Sequence, residues 1–490
     1  MNHKLILAYT GSEAVPFVKV GGLGDVLGAL PKEMARRGHE THLFLPLYQQ
    51  IDREKYKIRP WTNGHSFPVA LGPRIYSFSL WVFRDESLPN LTVWFIENHH
   101  FFNRPGPYLD LHGNPYGDEG ERWLYFQKAV LEGMKLLQVY PDILHVNDFH
   151  TALIPALKQH LYQPFFQNTR TVLTLHNVLF HGVYDLALLP YTDLPENLAF
   201  PAAPLEFYGK INFLKAGLAY ADLVNTVSPR YAQELLHIPG FSYGLHGMMN
   251  SISHKFSGIL NGADYDYWNP ETDPHLTHHY SPTKMSGKWQ NRQQLLEEAH
   301  LSANENTMVL GIVARMTEQK GFQLMLESWS ELLQMPVVIV MLASGDKRLE
   351  HEWSWLAKAF PDKIYLSRSF DEKFAHLIQA GADLFLMPSE FEPCGLSQIY
   401  SLKYGTPPLA HATGGLADTI SDEPDEKTGY LFKHFTKEGF LWAIEQALAD
   451  FADKDRWQQI QQNGMKKDFS WYKAAEKYLE LYYRALKRKY

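Results

Sequence analysis

The sequence predicts an α/β protein made of two doubly wound, Rossmann-like domains. Three observations point there. At 490 residues the chain is too long for one ordinary core. Short apolar segments alternate with stretches of helical spacing, and the alternation restarts near Met308. Glycine, acidic and basic residues gather in the turns after the apolar segments, where open parallel sheets bind their ligands.

Taken in order, residues 4–9 read as a first strand, followed by Ser12-Glu13 and then Lys19-Val20-Gly21-Gly22-Leu23-Gly24-Asp25. Residues 26–37 have the apolar spacing of a helix that stops at Gly38. Strand, glycine loop and helix together aim backbone N–H groups at an anion, and Lys19 adds a positive charge. A plain tight turn uses the same glycines. The spacing is not the dinucleotide fingerprint, and no Gly-Lys-Ser/Thr follows as in a phosphate loop. A second strand spans 42–46, and 75–83 and 91–97 read as hairpin strands. Residues 103–120, rich in Gly, Pro, Asn and Asp, are a long loop, and 121–137 return to helix. Strands at 142–146 and 171–175 end in Asn147-Asp148-Phe149-His150 and His176-Asn177, which sets polar groups on one rim of a sheet. A lone histidine is usually structural; the convergence of such turns on one edge favours a functional reading. Residues 221–228 are a strand running into a helix cap. Residues 258–274, rich in Gly, Asp, Pro and Tyr, read as the linker between domains. Within it Asp264-Tyr265-Asp266 superficially matches an Asp-x-Asp metal pair, but no third acidic ligand is apparent.

In the second half, 308–314 form a strand ending in Arg315-Met316-Thr317-Glu318-Gln319-Lys320-Gly321. Arg315 and Lys320 can both point at one diphosphate, the guanidinium bidentately and the ammonium as a point charge. Strands at 337–343 and 363–366 follow, the latter leading to Ser367-Arg368-Ser369-Phe370. An apolar strand over 382–388 precedes Ser389-Glu390-Phe391-Glu392-Pro393-Cys394-Gly395-Leu396-Ser397, and a helix runs from Leu396 to 404. A carboxylate beside free N–H groups at a helix start can grip sugar hydroxyls, accepting and donating together. A capped surface turn is the plainer reading of that segment alone. Thr413-Gly414-Gly415-Leu416 is a second glycine pair before a helix, and 469–490 read as one amphipathic helix.

A net charge of −8 disfavours nucleic acid as a partner, and the only basic cluster is Lys487-Arg488-Lys489. The single cysteine, Cys394, rules out an intrachain disulfide and a Cys-rich metal site. No stretch approaches the roughly 20 apolar residues that span a bilayer. The run Leu5-Ile6-Leu7-Ala8 is too short for a signal-peptide core. A soluble, cytoplasmic protein with no membrane partner is expected.

Together these motifs resemble the bacterial glycogen synthases and plant starch synthases, nearly end to end. The resemblance takes in Lys19-Val20-Gly21-Gly22-Leu23, His145-Val146-Asn147-Asp148-Phe149-His150, Leu175-His176-Asn177, Thr226-Val227-Ser228-Pro229 and Gly258-Ile259-Leu260-Asn261-Gly262. It continues through Asp264 to Pro270, Gln319-Lys320-Gly321, Phe391-Glu392-Pro393-Cys394-Gly395-Leu396 and Thr413-Gly414-Gly415-Leu416. It implies a GT-B type fold, two Rossmann-like domains facing a cleft. Residues 1–257 form the acceptor side, 258–468 bind the nucleotide sugar, and the last helix, 469–490, crosses back to the first domain. It implies a retaining hexosyltransferase that moves glucose from ADP-glucose to the non-reducing 4-hydroxyl of an α-1,4-glucan such as glycogen or starch. No metal or other cofactor is implied.

The resemblance also implies roles. Arg315 and Lys320 neutralise the diphosphate as the glucosyl bond breaks. Lys19 and the amides of Gly21 and Gly22 reach the same phosphates from the other domain on closure. Glu392 holds the donor sugar, aided by the amides around Gly395 and Leu396, with Cys394 in the same loop. Ser397 adds a phosphate contact, Phe370 lies against the adenine, and Asn261 stands near the donor. His176 lies beside the anomeric carbon, and Asp148 orders the acceptor or its closing loop. No nucleophile is assigned, because same-face attack assisted by the leaving phosphate is favoured in this family over double displacement. Three positions depart from wider patterns: Glu390 stands where the family commonly has Arg, Phe149 where it has Trp, and Tyr400 where a broader superfamily has a second Glu. The glycogen and starch synthases share that last departure. Competing readings are a same-fold transferase using UDP-glucose or another acceptor, a non-catalytic glucan-binding protein, and a nucleotide-sugar epimerase.

Overall fold

Alternating apolar residues let the second half of the chain build a sheet buried on both faces. Leu310, Ile312, Ile339, Met341, Leu384 and Leu386 join one core cluster, while Val309, Val338, Val340, Phe385 and Met387 join another. Side chains of a strand alternate between faces, so each strand feeds both clusters. Fully burying one such side chain contributes about 1.5–3 kcal/mol. The six parallel strands lie in the order Ile364–Ser367, Val337–Gly345, Met308–Met316, Leu384–Met387, Pro408–His411 and Tyr430–Phe432.

The computed structural model describes residues 4–61 and 64–487. They fall into two units: Met1–Val227 with Ala232–Gly262 and Trp471–Tyr490, and Ser228–Tyr231 with Ala263–Ser470. The sheet of the first unit orders Phe256–Gly258, Leu223–Thr226, Arg170–Leu175, Ile143–Asn147, Ile6–Thr10, Glu40–Pro46 and Leu91–Glu97 in parallel. Arg74–Arg84 then pairs antiparallel with Leu91–Glu97, as expected of a hairpin.

In both sheets the chain first winds outward one way, then returns to start a strand beside its first. The reversal lies between Ile6–Thr10 and Ile143–Asn147 in one unit, and between Met308–Met316 and Leu384–Met387 in the other. Turns at the carboxyl ends of these strand pairs are the ligand positions of a doubly wound sheet.

One device sets strand register in both units. Asp142, Asp222 and Asp383 each stand one residue ahead of a strand and accept an N–H from the neighbouring strand, those of Ile6 (2.8 Å), Thr171 (2.7 Å) and Val309 (2.8 Å). Beside two of them a lysine ammonium takes carbonyls that no ladder reaches. Lys255 donates to Ala219 and Ala221, and Lys288 to Ala380 and Ala382. Burial of Lys288 lowers its pKa to about 7.

The last helix, Trp471–Lys487, packs within the first unit. It buries Tyr482 in a polar chain: Tyr9 to Tyr482 (3.0 Å), Tyr482 to His145 Nδ1 (2.8 Å), His145 Nε2 to Thr174 (2.6 Å), and Thr174 to Asn225 Oδ1 (2.8 Å). Asn225 Oδ1 only accepts, so Thr174 donates to it and accepts from His145 Nε2–H. Nδ1 is then an acceptor, and Tyr482 donates to it.

Several expectations are corrected. The chain passes from the first unit to the second at Gly262–Ala263, inside the expected 258–274 linker, but that segment is packed on both sides of the crossing. Phe256–Gly258 is an edge strand, and the segment to Gly262 stays with the first unit, so the first domain runs past 257. Beyond it, Trp268 stacks between His376 (3.7 Å) and Tyr400 (4.3 Å), and Asp273 accepts from His376 Nδ1 at 2.7 Å. Buried rings and a buried hydrogen bond fix what composition alone marks as loose. Asp264 folds into a turn by accepting the Asp266 N–H at 3.1 Å. Ser228 Oγ and the Arg230 N–H both donate to Asp418, which ties residues 228–231 to the second unit. The strands Pro408–His411 and Tyr430–Phe432 and the small sheet over Val183–Asn212 have too little alternation to be read from sequence. The expected helix beyond Lys487 and the Arg488-Lys489 pair lie outside the described residues.

Tyr482→Phe leaves the His145 acceptor without its donor and should cost about 1–3 kcal/mol. Equilibrium denaturation checks this; an unchanged midpoint would show that the chain carries no stability.

Candidate active site

At the reversal of the second unit the strand Met308–Met316 ends in the Thr317–Gly321 turn, and Leu384–Met387 ends in the turn carrying Glu392. The two turns are joined through backbone. The Glu390 N–H donates to the Gln319 carbonyl at 2.9 Å, and Gln319 Nε2 donates to the Phe391 carbonyl at 3.1 Å. Gly321 has φ +79°, and a Cβ there would stand 2.0 Å from the Pro388 oxygen. No other residue permits that approach. A third turn presses from the far side: a Cβ on Gly414 would meet the Glu392 oxygen at 1.9 Å, and one on Gly415 the Cys394 oxygen at 2.1 Å.

This packing brings Lys320 Nζ onto Glu392 Oε2, which also accepts from Ser389 Oγ at 3.3 Å. Glu392 is buried, and Lys320 is partly so. Arg315 occupies the last-but-one rung of its strand ladder, paired with Ser344, and is exposed with no ion pair among the described residues. Two cations and one carboxylate thus share one rim. The helix Ser397–Lys403 starts directly after Gly395 and Leu396, leaving its first N–H groups at the same rim. Gly395 takes φ +73°, and Gln398 Nε2 donates to the Cys394 and Gly395 carbonyls, each at 3.0 Å, fixing the loop. Cys394 is buried. Phe370, after the strand Ile364–Ser367, is 74% exposed. The Glu390 side chain is exposed. Tyr400 is consumed by its stack on Trp268, which accounts for an aromatic ring at that position.

Beyond the carboxyl ends of the first unit's strands stand Lys19, Gly21, Gly22, Asp148, His176 and Asn261, with Asn261 after the edge strand Phe256–Gly258. The expected anion loop is already engaged. Glu13 accepts the N–H groups of Val20 and of Gly21 (3.0 Å), so the Gly21 amide is not free. Glu13 also accepts from Tyr108 at 3.2 Å, and burial raises its pKa. Sequence reasoning passed over Glu13; its place just past the first strand was the available signal. Lys19 pairs with Asp25 at 2.7 Å and stays half exposed. Gly22 begins the helix Gly22–Arg36, four residues earlier than expected, with open space beside its Cα.

Asp148 has φ +52°, and its carboxylate accepts the His176 N–H at 2.7 Å. Burial pushes its pKa up to about 7. Phe149 rests on Gly182, where a Cβ would come within 2.6 Å of the ring. The Asn147 amide donates to Thr10 O at 3.1 Å, so its oxygen accepts from His176 Nε2 at 2.9 Å. Burial holds the His176 pKa at about 3. His176 is therefore neutral, protonated on Nε2, with Nδ1 as a lone-pair acceptor. Asn261 is buried with its Oδ1 lacking a partner among the described residues.

Histidine-selective NMR should find the His176 ring neutral, as the Nε2–H tautomer, from pH 8 down to about 4. The native ring binds fewer protons than the unfolded one below about 6.5, so its burial loses stability as pH falls toward 3. A ring already charged at pH 6 would contradict both.

Among the described residues no group of three or more His, Cys, Asp or Glu is placed to hold a metal ion, and no helix is long and apolar enough to cross a membrane. A family profile described as "Starch synthase catalytic domain" matches residues 7–251, and one described as "Glycosyl transferases group 1" matches 294–466. The chain is 40% identical to a glycogen synthase of Lactobacillus acidophilus over 97% of this chain and 98% of that one. It is 40% identical to a glycogen synthase of Koribacter versatilis, over 98% of each. Its fold matches the catalytic domain of Starch Synthase IV from Arabidopsis thaliana, solved with ADP and acarbose, with a TM-score of 0.90 and 32% identity over 99% of this chain and 100% of that one. On sequence and fold alike, the chain belongs to the glycogen synthase and starch synthase family of GT-B glycosyltransferases.

Proposed function

We propose that this transferase takes glucose from ADP-glucose and adds it, with retention, to the non-reducing 4-hydroxyl of an α-1,4-glucan. The observation that carries this reading is the Lys320–Glu392 pair beside exposed Arg315 at the reversal of the second unit. Phosphate oxygens compete for the lysine ammonium, and Glu392 is then released to accept from sugar hydroxyls. As the C1–O bond to the diphosphate breaks, Arg315 and Lys320 take up the growing negative charge. The acceptor oxygen bonds to C1 on the same face, and its proton passes to the departing phosphate. The scheme uses no metal, since the two cations carry the charge.

The ring of Phe370 offers a face for adenine, and the amides at Gly395, Leu396 and Ser397 offer donors for sugar and phosphate. For Lys19, Gly22, Asp148, His176 and Asn261 we keep the roles that the resemblance implies. A neutral His176 fits a place where positive charge builds on the sugar, because it adds none of its own. The adenine preference rests on the relatives, among them the plant structure that holds ADP. A reducing cytoplasm suits a chain whose single cysteine is buried.

Nucleotide release with ADP-glucose and UDP-glucose, each with glycogen as primer, tests the proposal. ADP should be released with a kcat/KM at least tenfold above that for UDP, a difference of about 1.4 kcal/mol. Lys320→Ala and Glu392→Ala should each lower turnover by at least about 10²-fold. Near-normal turnover in both would remove the site assignment.

A further inference from the structure

On the outer helix layer of the second unit a cavity of about 450 Å³ lies between the helices Phe322–Glu327 and Lys347–Ala359. None of the residues assigned above lines it. Its walls include the rings of Trp329 and Trp355 with Gln323, Glu327, His351 and Glu352. Trp355 is 59% exposed, whereas Trp353, two residues earlier, is fully buried and anchors the helix. An indole held at the surface by a helix that does not need it for packing calls for an explanation.

The polar groups around it are linked by hydrogen bonds. Arg348 donates to Gln323 Oε1 (2.9 Å), Glu352 Oε1 (3.2 Å) and Glu318 Oε1 (3.2 Å), and Gln323 Nε2 donates to Glu327 Oε1 (2.9 Å). These bonds take the Oε1 atoms of Glu327 and Glu352, so each retains a second oxygen as an acceptor. No lysine or arginine lines the cavity. Hydrogen-bonded carboxylate acceptors beside an indole face, with two acidic side chains in the wall, disfavour phosphates and suit a neutral ring of hydroxyls. A pyranose presents apolar C–H groups to the indole and hydroxyls to carboxylates at its edge.

We propose that this cavity is a second carbohydrate site, binding a chain of the α-glucan away from the reacting end. The inference rests on the glucan being the acceptor. It makes the enzyme hold a large branched substrate by two attachments, raising the effective concentration of chain ends at the rim.

The test compares Trp355→Ala and Glu352→Gln with wild type and with Trp442→Ala, which removes a tryptophan 53% exposed elsewhere. Affinity electrophoresis in glycogen-containing gels should show retention weakened about tenfold in Trp355→Ala, the loss expected when one apolar ring face returns to water. Glu352→Gln should weaken it less, and Trp442→Ala not at all. The KM for glycogen should rise in parallel, with kcat and the donor KM unchanged on a short maltooligosaccharide primer. Wild type that releases no nucleotide with any glucan overturns the proposed function. Wild type that turns over normally while Trp355→Ala is retained undiminished overturns the second site alone. So does a Trp355→Ala variant whose glucan-free sedimentation changes, because the face would then join copies of the chain.

Discussion

A lysine ammonium pressed onto a carboxylate depends here on how closely three turns can pack. Lys320 and Glu392 lie 72 residues apart in sequence. They meet because Gly321 lets the Pro388 carbonyl sit where a Cβ would be, and because Gly414 and Gly415 let a third turn close over the Glu392 and Cys394 carbonyls. The geometry of the charged pair is thus decided by main chain against main chain. That matters energetically. A buried carboxylate is costly unless paired, and removing one partner strands the other. The backbone contacts hold both groups in place, so a competing anion can draw off the lysine without the loop collapsing.

The first unit solves a related problem with the opposite sign. Its glycine loop does not wait empty for an anion, since Glu13 already accepts from Val20 and Gly21. The internal carboxylate shapes the loop, and burial raises its pKa against those hydrogen bonds. A few residues along the same rim, Asp148 is raised to about 7 and His176 lowered to about 3, both by removal from water. Low polarity therefore disfavours the charged form of both groups. Asp148 keeps its left-handed backbone because its carboxylate bonds the His176 N–H, which couples the two strand ends.

What could be read from the chain follows from the physics of each element. Strands buried on both faces announce themselves as apolar runs, so the parallel strands near Ile6, Ile143, Met308, Val337 and Leu384 were legible, as were the turns behind them. Short edge strands such as Tyr430–Phe432 carry too few residues to show a period. The crossing near Gly262 is legible from its Gly, Pro and Asp, but composition does not show the Trp268 stack that packs the segment beyond it. At the site, charged residues in turns were visible as candidates. Glu13 was not, because its importance lies in which amides it meets. The tautomer of His176 was equally hidden, being dictated by an asparagine amide that Thr10 orients.

The Asp and Lys devices at the opposite sheet edge complete the division of labour. Asp222 with Lys255, and Asp383 with Lys288, satisfy strand and helix ends in the two units by the same means. A common foundation at the amino ends of the strands frees the carboxyl ends to diverge. One unit keeps exposed Arg315 and the paired Lys320 there, which in the proposed reaction meet a diphosphate. The other presents buried groups of muted charge, suited to a neutral sugar whose ring becomes cationic as its bond breaks. In the reaction proposed above, a full positive charge on His176 would oppose that step, and the burial that keeps the ring neutral is the same burial that packs the sheet.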